Sequence, residues 1–240
     1  MKPLLFLGVL ALALSGCSGG EEGNSSAPAA PVVGKAAPAG QSWTDVVAKT
    51  AEGYRMGNPD APIKLVEYGS RLCPACRAFT TAAYQPLTQN YVSTGKVSFE
   101  FREFLVHGAP DLPPSLLGRC VPEAAFFPVM EQQYQAQPGI VDKLTPDFMR
   151  SIQNLSPAQA IPAMAQQMGL IDFMKQRGLP EAKARQCLAD MKQVDALTKQ
   201  TQDKTADGTV SSTPTLFVNG NKLEGGSWDE VEKALKAAGA

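Results

Sequence analysis

The chain has a single histidine, His107, and no second Cys-x-x-Cys motif in its 240 residues. That excludes an ordinary four-ligand zinc site, which draws on paired cysteines and histidines. Runs of Lys and Arg are missing too. With 22 basic against 23 acidic side chains and a formal charge of -1, no basic face can neutralise nucleic-acid phosphates. Five cysteines are too few for a disulfide-rich miniprotein, so each needs its own explanation. The apolar run from Leu4 to Leu14 is too brief to span a bilayer as a stable helix. Between His107 and about Gly208 no convincing strand pattern occurs. Apolar residues there recur at three- and four-residue spacing, punctuated by prolines such as Pro113, Pro128, Pro146 and Pro162, as in several short packed helices. A hydrophobic content of 44% allows one large domain, or a small one carrying a sizeable insertion.

The short run follows Met1-Lys2, a charged head before an apolar segment, and reads as a signal peptide over residues 1–16. It ends in Leu14-Ser15-Gly16-Cys17, which resembles a bacterial lipobox, so Cys17 is expected to take a diacylglyceryl group and become the mature N-terminus. The alternative is an ordinary signal peptide cut nearby, with Cys17 incidental. By the same resemblance, Ser18 fits sorting to the outer membrane of a Gram-negative cell. Export places the rest of the chain where disulfides persist. Residues 17–41 are rich in Gly, Ser, Ala and Pro and lack core spacing, which predicts a lipidated flexible tether.

From Ser42 the chain becomes patterned. Ser42-Trp43-Thr44-Asp45 has capping-box form and predicts a short helix to about Thr50, and Gly53 to Gly57 a brief strand. After the turn Asn58-Pro59-Asp60-Ala61-Pro62, Ile63 to Tyr68 reads as a central strand, Pro74 to about Ser93 as a helix kinked at Pro86, and Lys96 to Val106 as a second strand. Thr215 to Leu223 forms a hairpin around Asn219-Gly220, and Ser227-Trp228-Asp229-Glu230 opens a final amphipathic helix.

The chemistry concentrates where the central strand meets its helix, at Cys73-Pro74-Ala75-Cys76. A sulfur at a helix N-terminus faces unpaired N–H groups and the positive end of the dipole, which favour a thiolate and can bring a cysteine pKa from about 8.5 into the range of roughly 3.5 to 7.5. Cys73 is then the nucleophile and Cys76 its resolving partner. An inert disulfide or half a zinc site is the competing reading.

The order β-α-β, helical block, β-hairpin and helix, together with three motifs, resembles the DsbA-like branch of the thioredoxin superfamily over roughly residues 43–240. The motifs are Gly57-Asn58-Pro59-Asp60-Ala61-Pro62, Tyr68-Gly69-Ser70-x-x-Cys73-Pro74-x-Cys76, and Ser212-Thr213-Pro214-Thr215-Leu216-Phe217-Val218. The resemblance implies an α/β thioredoxin-like fold over residues 42–106 and 209–240, with an inserted all-helical domain over residues 107–208. It implies that Thr213-Pro214 is a cis-proline dipeptide beside the cysteines that pairs with extended substrate, with Thr213 helping to set preference. It also implies that Glu67 is a buried acid exchanging a proton with Cys76, although a strand-end carboxylate pointing to solvent fits the sequence as well. With Cys17, Cys73 and Cys76 assigned, a structural disulfide between Cys120 and Cys187, as some DsbA-like proteins carry, is the economical pairing; two separate buried thiols are the alternative. Arg71 and Arg77 flank the site and are expected to be solvated, the alternative being that they supply charge in place of the missing imidazole; Arg102 could approach the site, and His107 falls in a loop.

The expected activity is thiol:disulfide exchange with cysteine-containing exported proteins, by a lipid-anchored, periplasm-facing monomer. It needs no cofactor beyond the Cys73–Cys76 pair, and a membrane or periplasmic redox partner recycles that pair. Ala75 stands where oxidising relatives carry histidine, which leaves the direction open between oxidase and reductase or isomerase. A redox-inactive peptide-binding module is the reading from a different class.

Overall fold

The computed structural model describes residues 30–240. The signal segment 1–16, Cys17 and the tether as far as residue 29 lie outside the described residues. From Val32 on, the expectation of a free tether to residue 41 fails. Val32 N–H donates to the Gly239 carbonyl at 2.8 Å, the Trp43 indole donates to the Lys35 carbonyl, and Val32 and Ala37 pack on the main core. A buried indole N–H needs an acceptor, and this segment supplies it. Gly95, at φ +72°, makes room, since a Cβ there would meet the Lys35 carbonyl oxygen at 2.2 Å.

The capping box at Ser42 forms, but it caps only a 3-10 turn, Trp43–Asp45, and the chain then enters strand β1, Val47–Lys49. The helix expected to Thr50 is replaced by pairing with β2, Tyr54–Met56, in the register Val47↔Met56. The β-branched pair Val46-Val47 suits that edge better than a helix. Strand β3, Ile63–Gly69, leads into helix α1, Pro74–Leu87, and strand β4, Val97–Glu103, returns parallel to β3. Helix α1 runs through Pro86 and widens into a π turn, Thr88–Val92, where the Thr88 hydroxyl donates to the carbonyls of Tyr84 and Gln85.

The inserted block holds α2, Leu112–Gly118; α3, Phe126–Val141; α4, Pro146–Ile152; α5, Pro157–Gln167; α6, Leu170–Lys175; α7, Glu181–Leu188; and α8, Met191–Ala206. Strands β5, Thr215–Val218, and β6, Asn221–Lys222, and helix α9, Trp228–Ala237, close the chain. The sheet order is β1-β2-β4-β3-β5-β6, with β3 central and only the β3–β4 pair parallel.

Two cores result. One lies on the sheet and includes Leu65, Phe99, Phe101, Leu216, Val231 and Leu235; the other fills the helical block around Leu117, Met164, Leu170 and Leu188. Helix α3 serves both: Phe126, Phe127, Met130 and Tyr134 enter the first, and Val129 and Ile140 the second. The inserted block is thus fixed directly to the site-bearing helix α1. A disulfide joins Cys120, just after α2, to Cys187 in α7, across a sequence separation of 67. Closing a loop of that length is worth about 4 kcal/mol in the chain-entropy account. Among the described residues no helix is long and apolar enough to cross a membrane.

Candidate active site

Strand β3 delivers Cys73 to the N-cap of α1, with Pro74 in the first turn, where its missing N–H costs nothing. The Cys73 sulfur accepts the Cys76 backbone N–H at 3.4 Å and, as a thiol, donates to the Thr213 carbonyl at 3.3 Å. The Thr213–Pro214 peptide bond is cis, which places this dipeptide against the sulfur. Pro74 and Ala75 stand exposed, whereas Cys73 is 6% and Cys76 0% exposed. Both cysteines are free thiols.

Their environments push the two thiols apart. Hydrogen bonding from the Cys76 side chain, and from the Cys76 and Ala75 N–H groups, lowers the Cys73 pKa to about 5 against the opposing effect of burial. Burial first, then the hydrogen bond to Cys73 and the charges of Glu67 and Cys73, raises Cys76 well above its ordinary value. At neutral pH the pair therefore holds one thiolate, on Cys73, and one proton, on Cys76. Opposed shifts of this kind assign nucleophile and proton donor.

Glu67 sits in the middle of β3, 0% exposed, facing the α1 side of the sheet rather than solvent. Among the described residues neither of its carboxyl oxygens has a hydrogen-bond partner. Burial, followed by the charges of Cys73 and Glu103, raises its pKa to about 8. The raised value sets a stability dependence. The contribution of Glu67 is fully present below its ordinary 4.5 and is lost as pH rises through about 8. Glu67→Gln removes the ionisation, so thermal unfolding of the reduced protein should find the variant gaining on the parent between pH 4.5 and about 8, with the two slopes matching below and above that window. Parallel losses of stability in both proteins between about pH 5 and 7 would contradict a buried, raised Glu67.

Arg71 is not solvated as expected. Its side chain is wholly buried and its Nε donates to Glu103 Oε1 at 2.8 Å, with Nη1 donating to Gln133. Ser115 donates to the other Glu103 oxygen at 2.9 Å, and the guanidinium lies 4.9 Å from the Phe126 ring centroid. Gly118 leaves the space, since a Cβ there would come within 2.4 Å of the Arg71 guanidinium carbon. Around this pair the helical block grips the catalytic loop: Gln137 Nε2 donates to the carbonyls of Arg71 and Cys73 at 3.0 and 2.9 Å, and the Tyr134 hydroxyl donates to the Ser70 carbonyl. Sequence reasoning missed Glu103, Gln133, Tyr134 and Gln137. The available signal was a second acid, Glu103, ending a buried strand.

Arg77 is half-buried on α1. Arg102 does not approach the cysteines; it turns to the opposite sheet face, toward the Tyr68 hydroxyl, Glu100 and Glu52. His107 lies in the loop after β4, its Nδ1 3.2 Å from the Asp111 carboxylate, which also accepts the Ser70 hydroxyl at 2.7 Å. The Ser70 oxygen in turn accepts the Leu72 N–H, bracing the loop just before Cys73.

Comparison with known proteins follows this geometry. A family model described as Thioredoxin matches residues 49–237. A Rickettsia bellii protein named as a protein-disulfide oxidoreductase is 28% identical over 183 residues, 76% of this chain and 63% of its own length. The chain thus spans about three-fifths of that relative. The solved structure of a protein-disulfide isomerase from Novosphingobium aromaticivorans superposes with a TM-score of 0.73 at 27% identity, covering 78% of this chain and 97% of that one. Wolbachia pipientis alpha-DsbA1 shares the fold, with a TM-score of 0.59 at 19% identity, covering 79% of this chain and 92% of that one.

Proposed function

We propose that this chain, which belongs to the thioredoxin family, exchanges disulfides with cysteine-containing exported proteins through Cys73 and Cys76 in the manner of the DsbA-like branch, acting as an oxidase. The observation that carries this reading is the Cys73 sulfur at the N-cap of α1, accepting the Cys76 N–H at 3.4 Å, a setting that lowers its pKa to about 5. That value lies between about 7 for thioredoxin and about 3.5 for a strongly oxidising DsbA. A thiolate stabilised in the dithiol state makes the corresponding disulfide a better oxidant. Although Ala75 offers no imidazole, the Cys76 thiol and the N–H groups of the first helical turn donate to the Cys73 sulfur in its place.

In the oxidase direction a substrate thiolate attacks the Cys73 sulfur of the Cys73–Cys76 disulfide. The S–S bond breaks, and the departing Cys76 thiolate takes the proton of Glu67. A second substrate thiolate then attacks the substrate sulfur of the mixed disulfide, and Cys73 leaves as a stabilised thiolate. The substrate leaves oxidised by two electrons and the enzyme stays reduced until a redox partner withdraws them. Thr213-Pro214, against the nucleophilic sulfur, pairs with extended substrate backbone, and Thr213 helps set preference. In this reading the protein works as a monomer facing the periplasm, tethered through lipidated Cys17 to the outer membrane.

An isomerase role is the second reading, favoured by the likeness to the protein-disulfide isomerase of Novosphingobium aromaticivorans. Equilibration of the Cys73/Cys76 pair in glutathione buffers separates the two directions of flow. A potential between about -180 and -120 mV is expected, and one near about -270 mV, as in thioredoxin, would replace the oxidase by a reductase.

A further inference from the structure

The turn that ends at the nucleophile, residues 70–73, closes with the Cys73 N–H donating to the Ser70 carbonyl at 3.2 Å. Three of its four carbonyls also accept from side chains of one helix, α3. The Tyr134 hydroxyl donates to Ser70 at 3.2 Å, and Gln137 Nε2 donates to Arg71 at 3.0 Å and to Cys73 at 2.9 Å. Tyr134 and Gln137 are three residues apart and so share a helix face, and they are only 1% and 3% exposed. Among the described residues the Arg71 carbonyl has no other donor, and the Cys73 carbonyl has besides Gln137 only the Arg77 N–H at 3.1 Å.

These bonds bear on the chemistry through charge. A carbonyl oxygen carries partial negative charge, and these three belong to the turn whose last residue bears the thiolate. Left without donors, they would oppose that charge in a buried setting where electrostatic effects are strong. An N–H or O–H donated to each cancels much of the opposition. The benefit belongs to the dithiol form, which is the form of this structure, because in the disulfide neither sulfur is charged. Between the cysteines stand Pro74 and Ala75, neither with a donor side chain, so tuning of this kind has to come from outside the motif.

We infer that Gln137, with Tyr134 beside it, is a positioning residue of the exchange reaction: by holding the carbonyls of Ser70, Arg71 and Cys73, the inserted helical block sets how strongly the Cys73–Cys76 pair oxidises. The inference rests on the reading of that pair as the exchanging site and adds the element that tunes it. Gln137 acts through the backbone of the turn. Donors that favour the charged dithiol state over the uncharged disulfide shift the equilibrium toward the reduced enzyme, which makes its disulfide the better oxidant.

Gln137→Met keeps the length of the side chain and removes both donated bonds, and Tyr134→Phe removes one hydroxyl and keeps the ring. Each full chain is equilibrated with glutathione, where the dithiol and one oxidised glutathione give the disulfide and two reduced glutathiones. For Gln137→Met this equilibrium should move about tenfold toward the disulfide, a potential about 30 mV less oxidising than the parent's. Tyr134→Phe should move it the same way by less, and Gln135→Met, on the exposed side of α3, should leave it in place. The midpoint of Cys73 alkylation against pH should rise in parallel. Thermal unfolding of both redox forms separates tuning from packing, since the reduced Gln137→Met chain should lose more stability than the oxidised one. Equal losses in the two forms, with the glutathione equilibrium unmoved, would overturn the inference and leave the exchange site in place. A parent chain that never equilibrates with glutathione would overturn both. Where Gln137→Met does not fold, Tyr134→Phe decides by the same comparison.

Discussion

Serine in place of Cys73 should reduce disulfide exchange to the background rate of the buffer thiols, with no residual turnover by the protein. The hydroxyl that replaces the sulfur can neither ionise at neutral pH nor form an S–S bond, so both half-reactions disappear. Cys76→Ser should behave differently. Cys73 keeps the N-terminal amides of α1 and the neighbouring Thr213, so it still attacks disulfides, but the mixed species can no longer be resolved from inside and should accumulate as a covalent adduct. Non-reducing electrophoresis with a small disulfide-containing protein separates these outcomes. A Cys73→Ser protein that keeps its full effect on folding of a reduced client would instead make the chain a peptide-holding module that conserves the fold without the chemistry.

The second large effect concerns stability. Arg71 and Glu103 are both wholly buried, 2.8 Å apart, and each is the other's charge partner. Removing one member, as in Glu103→Leu, strands a guanidinium among Phe101, Phe126 and Tyr134. Breaking such a pair costs about 3–5 kcal/mol, which in a chain of this size lowers the unfolding midpoint on the order of 10 °C. Arg71→Met combined with Glu103→Leu should recover a large part of that loss, because the expense lies in the unpaired charge. Thermal unfolding of the single and double variants measures it. If Glu103→Leu unfolds within 2 °C or so of the parent, the pair holds little of the fold together.

How far the sequence foretold this site can be traced residue by residue. Strands β3 and β4, helix α1 and the hairpin β5–β6 were legible because each is short, strongly patterned and bounded by turn residues. Cys73, Cys76 and Thr213-Pro214 were legible because their chemistry depends on local spacing or on a recognisable dipeptide. The failures all involve long-range partners. Ser42 caps a turn as its capping box implies, but the following residues pair with β2, and no local pattern reveals which strand is waiting. Arg71 reads as a surface cation until Glu103, 32 residues on, and the vacant side of Gly118 meet it in space. Arg102 required the face of β4, fixed only by the register Tyr68↔Arg102. Residues 32–41 look like linker in composition, and only the carbonyl of Lys35 under the Trp43 indole shows them docked. The clamp by Gln137 on the catalytic loop joins residues 64 and 66 positions apart, beyond the reach of any motif.

These contacts converge on a single quantity, the ionisation of Cys73. Its rate of alkylation by iodoacetamide, followed against pH on the reduced chain, tests the account most directly. The expected profile rises with a midpoint near 5, where the thiolate forms, while Cys76 stays unmodified throughout because it is buried and protonated. A midpoint near about 8.5, the value of an ordinary exposed thiol, would contradict a stabilised thiolate at the head of α1 and the oxidase built on it.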